Sequence, residues 1–346
     1  MKKEILYNKK NRLDLEKELK NETFSRVTCS FYRYILIENP ELARDQLYRD
    51  WSGLKIFGRI YIANEGINAQ LSCPEKNWDL FIKTMNSHDY LKDVYVKKAI
   101  QDGASFYKLV IKIKDEIVNY NIGKDEFDMN QVGKYLTPKE FNDKLEENNT
   151  LVVDMRNYYE SEVGRFENAI IPDVDTSREL LPEVKNLLNG HEKDEILLYC
   201  TGGIRCEKAS SYLIKSGFSN VNQLKGGIIQ YAHDVRTKGL DSKFKGKNFV
   251  FDARMGERIT NDIVGKCHQC GNPADHHLDC GNEACHILFI QCDKCYKKYD
   301  GCCTKECKDF ASLPIEEQRI LRKDPKKVVS QTRYSSRAKP KLARIN

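Results

Sequence analysis

The chain has 346 residues, of which 40% are hydrophobic and 31% are charged, and its formal net charge is +6 at pH 7. This length and composition predict two or three globular domains, and the sequence has no run of 18 apolar residues that would predict a membrane-spanning helix. The basic N-terminus lacks the apolar stretch of a secretory signal, so we expect a cytoplasmic protein whose thirteen cysteines serve thiol chemistry or metal binding rather than disulfides.

The first third of the chain is predicted to form a helical extension, residues 1–24, and then an α+β domain, residues 25–123, called the N-terminal domain below. An asparagine followed by Pro40 is typical of a helix start, and apolar residues recur after it at helical spacing. Two strand-like segments, KIFGRIYIA and INAQLS, are separated at residues 64–66. Pro74 opens a second helical pattern before two further strands. The order β-α-β-β-α-β predicts a ferredoxin-like (acylphosphatase-like) fold.

The last predicted strand of this domain, SFYKLVIKIK, alternates apolar residues with lysines. Such alternation predicts a sheet with one face on the helices and the other face open. An open face of this kind can bind RNA through aromatic stacking. Tyr32 and Tyr34 therefore have two interpretations, which are stacking on bases and packing against a neighbouring domain.

Residues 124–136 are predicted to be a linker, and residues 137–240 are predicted to form the central domain. Thr137 followed by Pro138 predicts a helix start. The short apolar runs LVVD and ILLY are typical of buried parallel strands, and helical stretches lie between and after them. This alternation predicts an α/β fold with a parallel sheet.

The strand ILLY leads directly into a six-residue stretch, named the Cys200 loop here, and a helical pattern follows. The loop consists of Cys200, Thr201, Gly202, Gly203, Ile204 and Arg205. Cys200 is therefore expected at the carboxyl end of a parallel strand, where ligand sites of α/β proteins lie, and at a helix N-terminus. Backbone N–H groups, the helix dipole and the charge of Arg205 lower the pKa of a thiol in such a place. Cys200 is thus predicted to be a nucleophile.

The cysteines of this region have alternative interpretations. Cys200 is alternatively an inert buried cysteine at a tight turn. Cys206 lies on the predicted core face of the helix, which favours packing over a role as a resolving thiol. The six-residue loop is smaller than the seven-residue C-x5-R loop of cysteine phosphatases, and Tyr199 stands where those enzymes usually carry a histidine. The smaller loop favours a sulfur atom over a phosphate.

Several motifs resemble those of a known family. CTGGIRCEKAS resembles the active loop of rhodaneses, and LKGGI resembles the turn after their last strand. DMRNYYESEVGRFENAI resembles their earlier motif, in which Asp154, Arg156, Asn157 and Glu160 brace the domain. More narrowly, IANEGINAQLS, the rhodanese block, KNFVFDARMGERI and the cysteine-rich end occur in the order found in the rhodanese-like tRNA uridine hydroxylases. The resemblance extends approximately over residues 25–310.

Membership of that family implies hydroxylation of the wobble uridine of tRNA to 5-hydroxyuridine, with molecular oxygen as cosubstrate and Cys200 as a persulfide intermediate. The loop residues by themselves indicate only a reactive thiolate in a sulfur-sized site, so two other functions stay open. One is a rhodanese-type sulfurtransferase with a small or protein acceptor, for which the N-terminal domain is superfluous. The other is a non-enzymatic RNA-binding adaptor, against which the intact Cys200 and Arg205 argue.

The cysteine-rich segment, residues 241–310, holds nine of the thirteen cysteines. Because Cys-x2-Cys spacing lets two thiolates bind one tetrahedral ion, the segment predicts two structural zinc sites, and metal would supply folding energy to a segment with little core. The preferred groups are Cys267, Cys270, Cys292 and Cys295, and then Cys280, Cys285, Cys303 or Cys302, and Cys307. Alternative ligands are His268, His276, His277 and His286. Free thiols without metal are the alternative interpretation.

Residues 311–346 are predicted to be a basic tail. From Gln318 to Asn346 the sequence has ten Lys/Arg and one acid, which gives this stretch a charge of +9 and leaves the remainder at −3. A block of positive charge suits a polyanionic partner such as tRNA. The alternative is a solvated tail without a partner.

Overall fold

The N-terminal domain is a five-stranded sheet with two helices on one face. A computed structural model describes residues 6, 8, 10–174, 176–324 and 326–330 of the chain. Asn39 begins the first of these helices by accepting a hydrogen bond from the Leu42 N–H. Its elements are β1 (Arg26–Tyr34), α2 (Pro40–Gly53), β2 (Phe57–Ala63), β3 (Gly66–Pro74), α3 (Trp78–Asn86), β4 (Lys97–Lys98) and β5 (Leu109–Ile113), with 3₁₀ turns at Glu75–Asn77 and Asp89–Leu91, and α1 (Arg12–Lys20) precedes them in the predicted helical extension.

The strands of this sheet are arranged in the order β4-β1-β3-β2-β5. The first four are antiparallel neighbours, as the ferredoxin-like order predicts, and β5 adds a strand parallel to β2. Trp51 of α2 and Phe81 of α3 are fully buried, with ring centroids 5.7 Å apart. The predicted fold is confirmed with one local difference, because Pro74 ends β3 and α3 begins only at Trp78.

The central domain is built on a parallel sheet that is covered on both faces. Its elements are β6 (Lys134–Leu136), α4 (Pro138–Leu145), β7 (Thr150–Asp154), α5 (Tyr158–Ser161), β8 (Gly164–Phe166), α6 (Ser177–Leu187), β9 (Glu195–Tyr199), α7 (Ile204–Lys215), β10 (Asn220–Leu224) and α8 (Gly227–Lys238). The parallel strands follow the order β6-β10-β9-β7. In β9, Ile196 and Leu198 lie in one core, and Leu197 and Tyr199 lie in the other. Burial on both faces explains the continuous apolar run of this strand and confirms the predicted α/β fold.

Two regions differ from the sequence prediction. The predicted linker 124–136 ends in β6, which pairs with β10, and Tyr120 before it is fully buried in the core of the central domain. A strand of three residues is too short to show a periodic pattern.

The sheet face that was expected to be open lies against the central domain, where the Tyr32 hydroxyl donates to Glu207 at 2.8 Å. The structure therefore supports packing, rather than base stacking, for this tyrosine.

The rest of the chain joins the central domain through a small sheet and continues into the cysteine-rich segment. Its elements are β11 (Phe244–Asn248), β12 (Glu257–Arg258), β13 (His277–Asp279), β14 (Leu288–Ile290), α9 (Asp293–Tyr299), α10 (Lys305–Ala311) and α11 (Ile315–Lys323). The order β12-β11-β8 makes β8 of the central domain part of this sheet. In the described part of the chain, no helix is both long and apolar enough to cross a membrane. Of the predicted basic tail, residues 331–346 lie outside the described residues.

Candidate functional site

A cavity of about 320 Å³ lies between the sheet of the N-terminal domain and the Cys200 loop. Alternate residues of β2 and β3 line it, which is the pattern expected of one face of a sheet, and residues 28–32 of β1 lie beside them. The segment that follows β11 contributes a further wall. The lining residues that bear on function are Tyr32, Arg59, Asn68, Gln70, Lys97, Cys200 and Phe251. The predicted nucleophile thus faces a space that two domains enclose together.

Cys200 follows β9 directly and stands before the N-terminus of α7, as the sequence predicts. Gly203 has a φ of +101°, and its N–H donates to Cys200 Sγ at 3.1 Å. A Cβ atom on Gly203 would lie only 2.8 Å from the Tyr32 hydroxyl oxygen. The left-handed backbone favours a glycine here, and an added Cβ would also force the Tyr32 hydroxyl of the N-terminal domain to move.

The surroundings of Cys200 favour its thiolate. Burial alone raises the pKa of this thiol, because no part of Cys200 is exposed to solvent. The hydrogen bond from the Cys206 thiol, the charge of Arg205 and the N–H groups of Arg205 and Gly203 outweigh burial and lower the pKa to about 6. A thiol with this pKa is mostly ionised at pH 7, which is the form that acts as a nucleophile.

Arg205 is held in place by Glu160. Its guanidinium donates to the two carboxylate oxygens at 2.6 and 2.9 Å, and also to Thr201 Oγ1 at 3.2 Å. Glu160 is fully buried, and it accepts a hydrogen bond from the Asn157 N–H at 3.0 Å, which fixes its position in α5. The cation predicted beside Cys200 is therefore present, and a carboxylate balances its charge.

Asp154 and Arg156 form a second ion pair, in which neither side chain is exposed. The guanidinium donates to the two carboxylate oxygens at 2.8 and 2.6 Å. Ser161 and Tyr199 also donate hydroxyl hydrogen bonds to Asp154. Although burial raises the pKa of Asp154, Arg156 and the two hydroxyls hold it below its usual value. The tyrosine that replaces the phosphatase histidine thus helps to join β9 to β7.

The first turn of α8 approaches the Cys200 loop closely. The N–H groups of Ile228 and Ile229 donate to the carbonyl oxygens of Cys200 and Thr201 at 3.0 and 3.1 Å. Gly227 has a φ of +66°, and a Cβ atom on it would lie 2.6–2.8 Å from three backbone atoms of the loop. The LKGGI turn needs a glycine at this position because two backbones meet there.

A charged contact between the domains was not predicted from the sequence. Lys208 of α7 is fully buried, and its ammonium donates to Glu65 at 2.7 Å and to Glu116 at 2.8 Å. Glu65 lies in the turn between β2 and β3, within the IANEGINAQLS motif. The sequence shows Glu65 only as a charged residue in a tight turn, and this position does not predict which residue it pairs with.

Cys206 lies in the core of the central domain, as the packing interpretation predicts. Its thiol also faces Cys200. Burial and the hydrogen bond to Cys200 raise the pKa of Cys206, so it stays protonated and donates to the Cys200 thiolate. Its position therefore combines packing with a direct effect on the candidate nucleophile.

Comparisons with known proteins agree with this architecture. Residues 26–117 match a family model described as the UPF0176 acylphosphatase like domain, residues 137–234 match the rhodanese-like domain, and residues 245–308 match the rhodanase C-terminal model. A Leptospira interrogans protein named tRNA uridine(34) hydroxylase is 52% identical to this chain, covering 99% of the chain and 94% of the relative. The chain belongs to the tRNA uridine(34) hydroxylase family.

A second relative of the same name, from Yersinia enterocolitica, is 47% identical and covers 92% of this chain and 91% of the relative. Among solved structures, a rhodanese-like domain from Anabaena covers 33% of this chain and 80% of that chain, at 18% identity and a TM-score of 0.27. The assignment to the tRNA uridine(34) hydroxylase family rests on the two curated relatives, because they cover 99% and 92% of the chain.

In this member of the tRNA uridine(34) hydroxylase family, eight thiols of the cysteine-rich segment form two groups. The first consists of Cys267, Cys270, Cys292 and Cys295, and the second consists of Cys280, Cys285, Cys303 and Cys307. The sulfur atoms of each group lie within 4.8 Å of one another, and three of the pairs are 3.6, 3.8 and 3.6 Å apart. Because tetrahedral zinc has Zn–S bonds of about 2.3 Å, its sulfur ligands are about 3.8 Å apart. Both groups can therefore hold a metal ion.

The groups select among the ligands that the sequence left open. Cys303, rather than Cys302, completes the second group. Among the described residues, neither group includes any of the four candidate histidines. His268 instead forms a hydrogen bond with Glu162 at 2.9 Å, and Glu162 directly follows α5 as its C-cap residue. The first thiol group is thus connected to the helix that carries the partner of Arg205.

Proposed function

We propose that this chain hydroxylates the wobble uridine of tRNA to 5-hydroxyuridine, with molecular oxygen as cosubstrate and Cys200 as the nucleophile that carries a persulfide. The observation that carries this proposal is the position of Cys200, a buried residue with a lowered thiol pKa in the wall of a cavity between two domains. The reaction is supported by full-length relatives named tRNA uridine(34) hydroxylase. The persulfide is supported by a small loop whose N–H donors and charge favour a sulfur anion.

The size and lining of the cavity suit a nucleotide. Its volume of about 320 Å³ falls within the range of small-molecule sites, and enzymes that modify a base take that base out of its stack into such a pocket. The amides of Asn68 and Gln70 offer donors and acceptors for the edge of uracil. Arg59 on the same wall offers a positive charge for a phosphate, and its guanidinium donates one long hydrogen bond to the Phe251 carbonyl oxygen, at 3.5 Å.

Nucleoside analysis of tRNA tests this proposal in a strain that lacks the gene and carries wild-type protein, Cys200→Ser or Cys206→Ser. We expect Cys200→Ser to lose 5-hydroxyuridine with an unchanged circular dichroism spectrum, because serine is similar in size but is not a nucleophile at neutral pH. Cys206→Ser should be much milder, because serine keeps a small donor in the same place. Equal loss in both folded variants, or normal modification with Cys200→Ser, would contradict the proposed roles.

The sulfurtransferase alternative is supported by one observation. The strongest influences that lower the pKa of Cys200 come from Cys206, Arg205 and Gly203 of the central domain, so sulfur loading does not by itself require a nucleic acid. Transfer of sulfur from thiosulfate to cyanide by purified protein measures this activity. If sulfur transfer is rapid while tRNA from the deletion strain keeps its 5-hydroxyuridine, the sulfurtransferase function is the correct one.

We also propose that both thiol groups bind zinc as a structural metal. The distances between sulfurs and the all-thiolate composition of each group support this choice. Elemental analysis should find about two zinc ions per chain, and a chelator should increase amide exchange in the cysteine-rich segment before the central domain. A lack of metal in freshly purified, reduced protein would contradict this assignment.

The partner and location follow from the proposed substrate. A tRNA substrate implies that the protein works in the cytoplasm. We propose that the basic stretch after Gln318 contacts tRNA phosphates outside the cavity, since a block of +9 attracts a polyanion. An electrophoretic binding assay with tRNA at two salt concentrations measures this contact.

A further inference from the structure

Lys97 brings a cation from the N-terminal domain to the Cys200 loop. It belongs to the two-residue strand β4, which pairs with β1 at Ser30. The side chain is only 6% exposed, and its ammonium lies 4.6 Å from the centroid of the Tyr32 ring. Its Cε atom lies 3.7 Å from the point where a Cβ on Gly202 would stand. The lysine therefore runs along the loop and lines the same cavity as Cys200.

This buried ammonium has no carboxylate partner among the described residues. Lys208 provides the contrast, since it is also buried and makes ion pairs with both Glu65 and Glu116. Burying an ammonium without a counter-charge is unfavourable. Burial accordingly lowers the pKa of Lys97 to about 8, against the opposing influence of Cys200 and Glu207. At pH 7 the lysine is still mostly protonated, and an anion in the cavity would compensate its charge.

The other charged groups near Cys200 do not supply an unpaired positive charge. The charge of Arg205 is already balanced by Glu160, and Glu207 adds a negative charge that accepts hydrogen bonds from two tyrosines. The titratable and charged groups that face Cys200, directly or through Arg205, are Tyr32, Tyr34, Lys97, Tyr120, Glu160, Arg205, Cys206 and Glu207. Of the two cations in this set, Arg205 forms an ion pair with a carboxylate and Lys97 does not.

We propose that Lys97 is the cation that the N-terminal domain contributes to the sulfur anion of Cys200, so that the reactive site is complete only when both domains are in place. This inference rests on the proposed role of Cys200 as the nucleophile. The ammonium donates to a sulfur anion that extends from Cys200 into the cavity, either as the thiolate or as the outer sulfur of a persulfide. No bond is made or broken by the lysine, because it acts through its charge and its hydrogen bonds.

The test measures alkylation of Cys200 by iodoacetamide between pH 5 and pH 9 in the full-length protein. Because the chain has thirteen cysteines, the modified Cys200 peptide is quantified by mass spectrometry. Lys97→Met removes the charge and keeps a side chain of similar length, and Lys97→Arg retains the charge. Lys98→Met is the matched control, because Lys98 is the neighbouring strand residue, is exposed and stacks on Trp78 with its ammonium 5.0 Å from the ring centroid.

We expect Lys97→Met to raise the apparent pKa of Cys200 alkylation by about one unit or more, as the loss of a nearby opposite charge does. At pH values below both midpoints, the reaction should then be about tenfold slower. Lys97→Arg should keep most of the wild-type profile, and Lys98→Met should match the wild type. The thermal midpoint of Lys97→Met should not fall, because the change removes a desolvated charge that has no ion pair.

An unchanged pH profile in a folded Lys97→Met protein would overturn the inference while leaving the nucleophile in place. If Lys97→Met does not fold, Lys97→Gln provides the uncharged variant for the same comparison. A wild-type profile with the midpoint of an ordinary thiol, near pH 8.5, would instead contradict the proposed state of Cys200 itself. The two failures are therefore distinguishable in one experiment.

Discussion

Replacing Glu160 with glutamine tests how the reactive loop is held. The substitution keeps the size of the side chain but removes the charge that receives two hydrogen bonds from Arg205, at 2.6 and 2.9 Å. The Glu160 side chain is 0% exposed and that of Arg205 is 10% exposed. Breaking a buried pair by neutralising one partner costs about 3–5 kcal/mol, because the other charge stays buried. The equilibrium for opening this region should therefore shift by roughly two to three and a half powers of ten.

Hydrogen exchange read by mass spectrometry measures this shift in peptides from β9 and α7. Tryptophan fluorescence is unsuitable, because both tryptophans of the chain, Trp51 and Trp78, lie in the N-terminal domain. Asp143→Asn is the matched control in the same domain. It breaks the pair with Lys139, whose side chains are 59% and 76% exposed, and exposed pairs contribute only about 0–1 kcal/mol.

The result that would refute the reasoning is equal protection in the two variants. In that case Arg205 would be held by other partners, of which Thr201 Oγ1 at 3.2 Å is already present. If protection in Glu160→Gln falls as expected, formation of 5-hydroxyuridine should fall with it, because Arg205 no longer keeps its position beside Cys200. Loss of protection with full activity would show that this position is dispensable for the reaction.

Three further predictions concern the loop and the tail. Gly227→Ala should destabilise the central domain by clearly more than Gly239→Ala in urea denaturation followed by hydrogen exchange. Both glycines have positive φ, so an alanine at either position costs about 1–2 kcal/mol of folding free energy for the left-handed backbone. Only at Gly227 do backbone atoms also lie within 3 Å of the added Cβ. Cys206→Ala should raise the midpoint pH of Cys200 alkylation more than Cys206→Ser does, because alanine cannot donate to the thiolate; equal midpoints would contradict the hydrogen bond. Deleting residues 331–346, which hold five Lys/Arg and no acid, should weaken tRNA binding and flatten its salt slope by up to about 4, with Cys200 alkylation unchanged; an unaltered slope would mean that this stretch does not contact tRNA.

The parts of the site that depend on local sequence could be predicted. The strand-loop-helix around Cys200, the glycine at 203 and the capped start of α4 all follow from residues that are neighbours in the chain. The same is true within each Cys-x2-Cys pair, whose spacing predicts that its two thiols can bind one ion. Local rules work here because the relevant distances are set by a few consecutive dihedral angles.

The parts that depend on contacts between domains could not be predicted. Glu65 and Lys208 are 143 residues apart in sequence, and no periodic pattern connects them. Lys97 lies in a strand of two residues, and a lysine in such a short strand is predicted to be exposed. The sequence therefore gives no indication that Lys97 is buried. The alternating pattern of β5 correctly predicted two different sheet faces. Because alternation does not identify what covers a face, the sequence leaves both RNA binding and packing against a neighbouring domain open for the second face.

The position of Glu160 shows why the cysteine-rich segment matters to a sulfur atom in another domain. Helix α5 has only four residues, and a helix of this length is not stable by itself. Contacts on both sides hold it, since Ser161 donates to Asp154 in the central domain and Glu162 binds His268 beside the first thiol group. The thiol group therefore supports α5, α5 positions Glu160, and Glu160 fixes Arg205 beside Cys200. From the N-terminal domain, Tyr32 packs on the Cys200 loop. Each of the three regions that match a family model therefore contributes contacts that hold the residues around Cys200. A rhodanese domain alone would lack two of those supports, so the N-terminal domain, which a simple sulfurtransferase would not need, has a structural reason to be present.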